Sequence, residues 1–238
     1  MKFLVLQHIS VEHTGSWRDV MRANGIDWDS VNLDEGEAIP ALDGYNALIS
    51  MGGPMDVFDI AENPWLETEK SVILRAVQER GIAFLGVCLG HQILAEALGG
   101  KVGRMAVPEV GQMTVSLSAA GKADPLFQGL DETLTCLQWH GSEIQTPPEA
   151  CEILASSLAC ASQAVRIGKR AYGLQFHIEM TAETVCEWGA IPAYKQALEA
   201  ALGAGALARL DADIATRLPE FNRTAERLFE NFIAIVRG

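Results

Sequence analysis

The segment that most restricts how this chain can fold is residues 82–100, IAFLGVCLGHQILAEALGG. Its first part is an apolar run of strand length, and its second part has the spacing of an amphipathic helix. Between them stands Cys88, with Gly86 and Gly90 two residues to either side. A buried strand that passes into a helix through so tight a turn belongs to an α/β layer. Such a turn lifts one side chain beyond the sheet edge and sets it at a helix N-terminus, where free N–H groups and the helix dipole stabilise negative charge. A thiol placed there ionises readily, and G-x-C-x-G has the spacing of the elbow that presents the nucleophile in α/β-hydrolases. Taken alone, the pattern suits a buried structural cysteine equally well.

The N-terminal half repeats the strand-then-helix theme. Strand-like runs at 2–9, 29–33 and 45–51 alternate with helix-like stretches at 16–24 and 64–81, the second opened by Pro64 and closed by Gly81. Alternation of this kind predicts parallel strands with helices on both faces. Runs at 110–117, 133–139, 151–157, 164–167 and 171–177 have little helical sequence between them and predict some antiparallel strands. From Thr181 onward the pattern is helical, weakened near residues 202–207 and at Pro219. Phe221, Ala225, Leu228, Phe229, Phe232, Ile235 and Val236 fall near helical spacing, which predicts a face packed on the domain rather than a contact between subunits. The expected organisation is one α/β domain over residues 1–185 and a helical C-terminal extension, 186–238, packed on it.

With 49% hydrophobic residues in 238, the chain can bury one large core. A net charge of −13 argues against nucleic acid and against an anionic membrane surface, both of which require clustered Lys and Arg. No apolar stretch approaches the roughly 18 residues of a membrane span, and MKFLVLQHIS reads as a first strand rather than a leader. The five cysteines are odd in number and form no C-x-x-C, which points to a reduced cytoplasmic protein. The histidines are scattered, so neither a metal nor a cofactor is expected.

A thiol nucleophile needs a base. In YGLQFHIE (172–179), strand alternation sets Leu174, Phe176 and Ile178 on one face and Gln175, His177 and Glu179 on the other. Glu179 can therefore orient the His177 imidazole, the third role of a triad. Acyl transfer also needs donors for a developing oxyanion. Gly52 and Gly53 follow the apolar run YNALISM at the carboxyl end of a parallel strand, where sites form in open α/β sheets. His8 and His13 follow the first strand and read as surface histidines.

Together GGP (52–54), GVCLGHQ (86–92) and GLQFHIE (173–179) resemble, in order and spacing, the class I (triad) glutamine amidotransferases, over most of residues 1–180. The likeness is to stand-alone members related to the glutaminase domain of GMP synthase. It implies a flavodoxin-like class I glutamine amidotransferase fold with a mixed, mostly parallel sheet, helices on both faces and a helical C-terminal tail. It also implies that Cys88 attacks the side-chain amide of glutamine, His177 acts as base and then acid, and Glu179 orients His177. The N–H groups of Gly53 and Leu89 would hold the oxyanion, with Gly52 and Gln92 helping to hold substrate. His91 would support the elbow. PEVG (108–111) and QWHG (138–141) resemble loops around the amino-acid moiety, which adds Val110, Gly111, Trp139 and His140 to the substrate-binding set.

The family usually has proline between the catalytic histidine and glutamate, where this chain has Ile178. The histidine–glutamate spacing is kept, so the triad is expected to survive with looser positioning. No P-loop and no S-G-G-x-D-S pyrophosphatase loop is present, so ammonia would pass to a separate synthetase or acceptor subunit, or be released by simple hydrolysis. Two alternatives stay open: a γ-glutamyl peptidase acting on glutathione-like conjugates with the same triad, and a catalytically silent regulatory relative. A PfpI-like protein is disfavoured, because Cys88 is followed by Leu89 rather than histidine.

Overall fold

The strand-like runs of the N-terminal half become short strands, three of them buried on both faces and the one at the sheet edge mostly exposed or half-buried. In the computed structural model, which describes residues 1–238, these are β1 (Lys2–Gln7), β2 (Asp27–Asn32), β3 (Ala47–Ser50) and β4 (Ala83–Val87). Five more follow: β5 (Lys101–Leu117), β6 (Thr133–Thr146), β7 (Cys151–Ser156), β8 (Ala164–Ile167) and β9 (Ala171–Leu174). All nine form one sheet in the order β2-β1-β3-β4-β9-β8-β7-β5-β6. Pairings from β2 through β9 are parallel, and those from β9 through β6 are antiparallel. This is a mixed α/β sheet of the flavodoxin-like kind.

Side-chain alternation along the parallel strands feeds two cores. Phe3, Val5, Ala47, Ile49 and Leu85 point to one face, and Leu4, Leu6, Leu48 and Phe84 to the other. The second face is covered by α2 (Trp65–Leu74), which ends in a π-helical turn, and α3 (Leu89–Ala97). The first is covered by α1 (Trp17–Ala23) and the C-terminal half of a long helix, Ala206–Arg237. Between them in sequence come α4 (Ala119–Ala123), α5 (Thr184–Gly189) and α6 (Pro192–Leu202), which makes the long helix α7.

Two expectations about boundaries are corrected. The sequence marked Pro219 as a weak point, yet α7 runs through it unbroken. An internal proline costs a helix about 3 kcal/mol. Packing on both sides outweighs it: Leu210, Ile214 and Phe221 join one cluster, and Ala225, Leu228, Phe229, Phe232 and Val236 fill the core beside Phe3 and Trp17. The break falls instead at Gly203–Gly205, where Gly203 and Gly205 both have positive φ. The second correction concerns β5 and β6, which extend to Lys101 and Thr146, beyond the runs 110–117 and 133–139. Residues 101–108 are mostly exposed or half-buried and carry no hydrophobic alternation, and the pairing is bulged between Arg104 and Glu109.

What matters for a site is adjacency. β3, β4 and β9 are neighbours and parallel, so Gly52-Gly53, Cys88 and His177 all emerge at the same carboxyl edge. β1, ending just before His8, is the next strand along.

Candidate active site

Cys88 joins β4 to α3 with φ 50° and ψ −103°. A non-glycine residue held there stores on the order of 1–3 kcal/mol of strain, so the surroundings must impose it. They do so through hydrogen bonds from the Cys88 N–H to the Leu174 carbonyl (2.7 Å) and from the Gly90 N–H to the Met51 carbonyl (3.0 Å). Both flanking glycines are required sterically. A Cβ on Gly86 would stand 2.4 Å from the Gly90 carbonyl oxygen, and one on Gly90 would stand 2.1 Å from that of Ser50. Cys88 thus occupies the N-cap position of α3, and its thiol makes no capping hydrogen bond there.

His177 lies beyond the end of β9, where the chain crosses to β6. Its backbone N–H and carbonyl both pair with Leu137 at 2.9 Å. The side-chain alternation read from the sequence persists past the strand: Leu174, Phe176 and Ile178 enter the core, while His177 turns toward Cys88 with Glu179 against its ring. His177 Nδ1 bonds Glu179 Oε1 at 2.7 Å. The Ile178 N–H donates to the other oxygen, Oε2, at 2.9 Å. A proline at this position has no N–H to offer. Isoleucine therefore tightens the carboxylate where looser positioning was expected.

The imidazole is fully buried and meets the edge of Trp188 from α5 at a ring-centroid distance of 4.6 Å. Burial alone would lower its pKa. The Glu179 charge, the neighbouring Cys88 thiol and the more distant Glu12 outweigh that and hold it well above the ordinary 6.5. His177 Nε2 has no hydrogen-bond partner.

A cavity of about 160 Å³ opens over the thiol. Of the residues named from the sequence, Gly53, Leu89, Gln92, Val110, Trp139 and His140 line it; Gly52 and Gly111 do not. The Gly52 carbonyl is turned away toward His8, and Gly111 sits on β5 against Leu202. The N–H groups of Gly53 and Leu89 have no acceptor within the protein. Gln92 Nε2 is engaged inward, with the Ser142 carbonyl and Gln175 Oε1, each at 3.1 Å. His91 is buried beneath the elbow, its pKa pushed down to about 3 by burial and then by His140, so it is neutral filler. A Cβ on Gly173 would fall 2.5 Å from its Nδ1.

Three features escaped the sequence reading. Tyr194 and Ala197 on α6 complete the cavity wall, and the Tyr194 hydroxyl donates to buried Glu12 at 2.6 Å. Burial raises the Glu12 pKa, against the opposing pull of His177. His8 is not a surface residue: it is fully buried, stacked on Trp65 and bonded at both ring nitrogens. Neither Glu12 nor His8 sits in a recognisable motif, and Tyr194 reads only as one more aromatic on an amphipathic helix.

Comparison with known proteins bears on this arrangement. The profile of the family described as "Glutamine amidotransferase class-I" matches residues 12–185. The glutamine amidotransferase-like protein YfeJ of Salmonella typhimurium is 32% identical over 191 residues, 78% of each chain. One subunit of the glutamine-hydrolysing GMP synthase of Sulfurisphaera tokodaii is 32% identical over 153 residues, 64% of this chain and 77% of that one. A glutamine amidotransferase crystal structure from Thermotoga maritima superposes with a TM-score of 0.87 at 28% identity, covering 100% of this chain and 99% of that one. The α6 roof lies beyond the residues that the family profile matches.

Proposed function

This chain belongs to the class I glutamine amidotransferase family, and from that premise we propose that it hydrolyses the side-chain amide of glutamine through a γ-glutamyl thioester on Cys88. The observation that carries the reading is a strained cysteine at the N-cap position of α3, beside a histidine whose far nitrogen is held by Glu179. His177 takes the Cys88 proton, and the thiolate adds to the amide carbon. The oxyanion accepts hydrogen bonds from the N–H groups of Gly53 and Leu89, which have no other acceptor. The tetrahedral intermediate collapses as the His177 imidazolium protonates the departing nitrogen, and ammonia leaves. Water, deprotonated by His177, then attacks the thioester, releasing glutamate and restoring the thiol. Glu179 keeps the imidazole oriented and balances its charge throughout.

All five cysteines are unpaired, which suits a thiol enzyme of a reducing cytoplasm. No helix is long and apolar enough to cross a membrane. We assign residues 1–185 to the amidotransferase domain and 186–238 to an extension that supplies part of the cavity wall. The Sulfurisphaera tokodaii relative is named as one subunit of its synthase, which supports delivery of the ammonia to a separate synthetase or acceptor protein.

The test is release of glutamate and ammonia from L-glutamine by the wild type and by Cys88→Ala, with a γ-glutamyl dipeptide as the competing donor. Release from glutamine that vanishes in Cys88→Ala is expected. Preference for the dipeptide would move the reading to a γ-glutamyl peptidase. Release that survives in Cys88→Ala would refute it.

A further inference from the structure

Behind the cavity wall, on the far side of the Gly52–Gly53 peptide, lies a second buried histidine–carboxylate pair that the mechanism above does not use. His8 Nδ1 stands 3.0 Å from the Gly52 carbonyl oxygen, and Nε2 stands 2.9 Å from Glu69 Oε2. The Ser50 hydroxyl donates to the other carboxylate oxygen at 2.7 Å, and the ring stacks on Trp65 with centroids 5.3 Å apart. A carbonyl oxygen only accepts, so Nδ1 carries a proton. An ionised Glu69 also only accepts, so Nε2 carries one too. His8 and Glu69 are both completely buried. An ion pair in that position is weak evidence for added stability, because desolvation offsets the attraction, so its placement calls for another reason.

The reason lies in which carbonyl is held. The Gly52 oxygen and the Gly53 N–H belong to the same peptide unit, and there are no cis peptide bonds. In a trans unit the two groups point in opposite directions. Anchoring the oxygen on the His8 side aims the N–H to the cavity side, where Gly53 lies beside Leu89. A Cβ on Gly53 would sit 2.8 Å from His8 Cβ and 3.0 Å from Leu89 Cδ2, so the packing leaves the peptide little room to turn over. A cation on the carbonyl also draws electron density from the amide and strengthens its N–H as a donor.

We propose that His8 is a positioning residue of the oxyanion site, acting as a buried imidazolium that fixes and polarises the Gly52–Gly53 peptide so that the Gly53 N–H meets the tetrahedral oxygen. This rests on the thioester reading given above. Burial alone would strip the proton from the ring; the Glu69 carboxylate outweighs it, with smaller help from the Gly52 carbonyl and Glu12, and the pKa lies above the ordinary 6.5. The charged groups facing His8 are therefore Glu69 on α2 and Glu12 in the loop after β1.

Two variants separate position from polarisation. His8→Asn, whose amide nitrogen falls near the Nδ1 position, can still donate one hydrogen bond to Gly52 but carries no charge. Glu69→Gln leaves the histidine in place and removes the partner that keeps it protonated. Three readouts are taken on each: turnover with glutamine, alkylation of Cys88 by iodoacetamide, and NMR of the histidine ring nitrogens and the Gly53 amide. Alkylation needs the thiol and His177 but forms no oxyanion, so it reports that the fold and the nucleophile are intact.

In the wild type both His8 nitrogens should be protonated at neutral pH. In both variants the Gly53 amide resonance should shift upfield, kcat should fall by roughly 10–100-fold with little change in KM, and alkylation should keep its wild-type rate. A singly protonated His8 in the wild type, an unmoved Gly53 resonance, or full turnover in both variants would overturn the proposal. If the wild type itself turns over no glutamine, the functional reading fails separately, and the Gly53 and His8 resonances still decide whether His8 polarises this peptide.

Discussion

Two buried histidine–glutamate pairs stand at the same end of the sheet and differ in what the second ring nitrogen meets. His177 is bonded to Glu179 through Nδ1 and keeps Nε2 without a partner. His8 is bonded to Glu69 through Nε2 and to the Gly52 carbonyl through Nδ1. Both rings are buried, both carry an acidic partner, and both have raised pKa values. Burial and a carboxylate therefore do not make a base. An uncommitted nitrogen beside a nucleophile does, while a committed one makes a fixed charge.

The contrast breaks most sharply at the reacting pair. We expect Cys88→Ala to abolish glutamate release, and His177→Ala to lower kcat by roughly 10²–10⁴-fold, the usual share of a general acid–base group. His177→Ala should also slow alkylation of Cys88 at neutral pH, which separates it from the His8 variants. Equal alkylation rates in His177→Ala and His8→Asn would erase the distinction between the two pairs.

A smaller effect probes how the His177 pair is held. Ile178→Pro deletes the N–H that donates to Glu179 Oε2. A hydrogen bond to a charged group contributes about 1.5–3 kcal/mol, so losing part of it should cost kcat around tenfold. An unchanged kcat would mean that the Nδ1 contact alone orients the carboxylate.

The mildest test is stability against pH. His8 and His177 have folded pKa values above 6.5, so their contribution is complete below the unfolded value and is lost as pH rises through the folded ones. His91 has the opposite sign: its folded pKa of about 3 means that stability is lost as pH falls below 6.5. Urea midpoints should therefore peak near neutrality and fall on both sides. His91→Gln should flatten the acid limb, and Glu69→Gln the alkaline one. A monotonic profile in the wild type would contradict these assignments.

Legibility in the sequence followed the distance between partners. The elbow could be read because Gly86, Cys88 and Gly90 are local and each glycine answers a backbone contact. His177 and Glu179 could be read because strand alternation places them together, even though β9 stops at Leu174. His8 could not, since its carboxylate partner is 61 residues away, and Tyr194 could not, since Glu12 lies 182 residues before it. The passage of α7 through Pro219 was hidden for a related reason: long-range packing overrides a local propensity.

The most direct test of the account is intact-mass and peptide analysis of the enzyme acid-quenched during turnover of glutamine. A γ-glutamyl adduct on the peptide containing Cys88, absent from Cys88→Ala together with glutamate release, is the result this account predicts. Glutamate released at an undiminished rate by Cys88→Ala, with no adduct on Cys88 in the wild type, would contradict it.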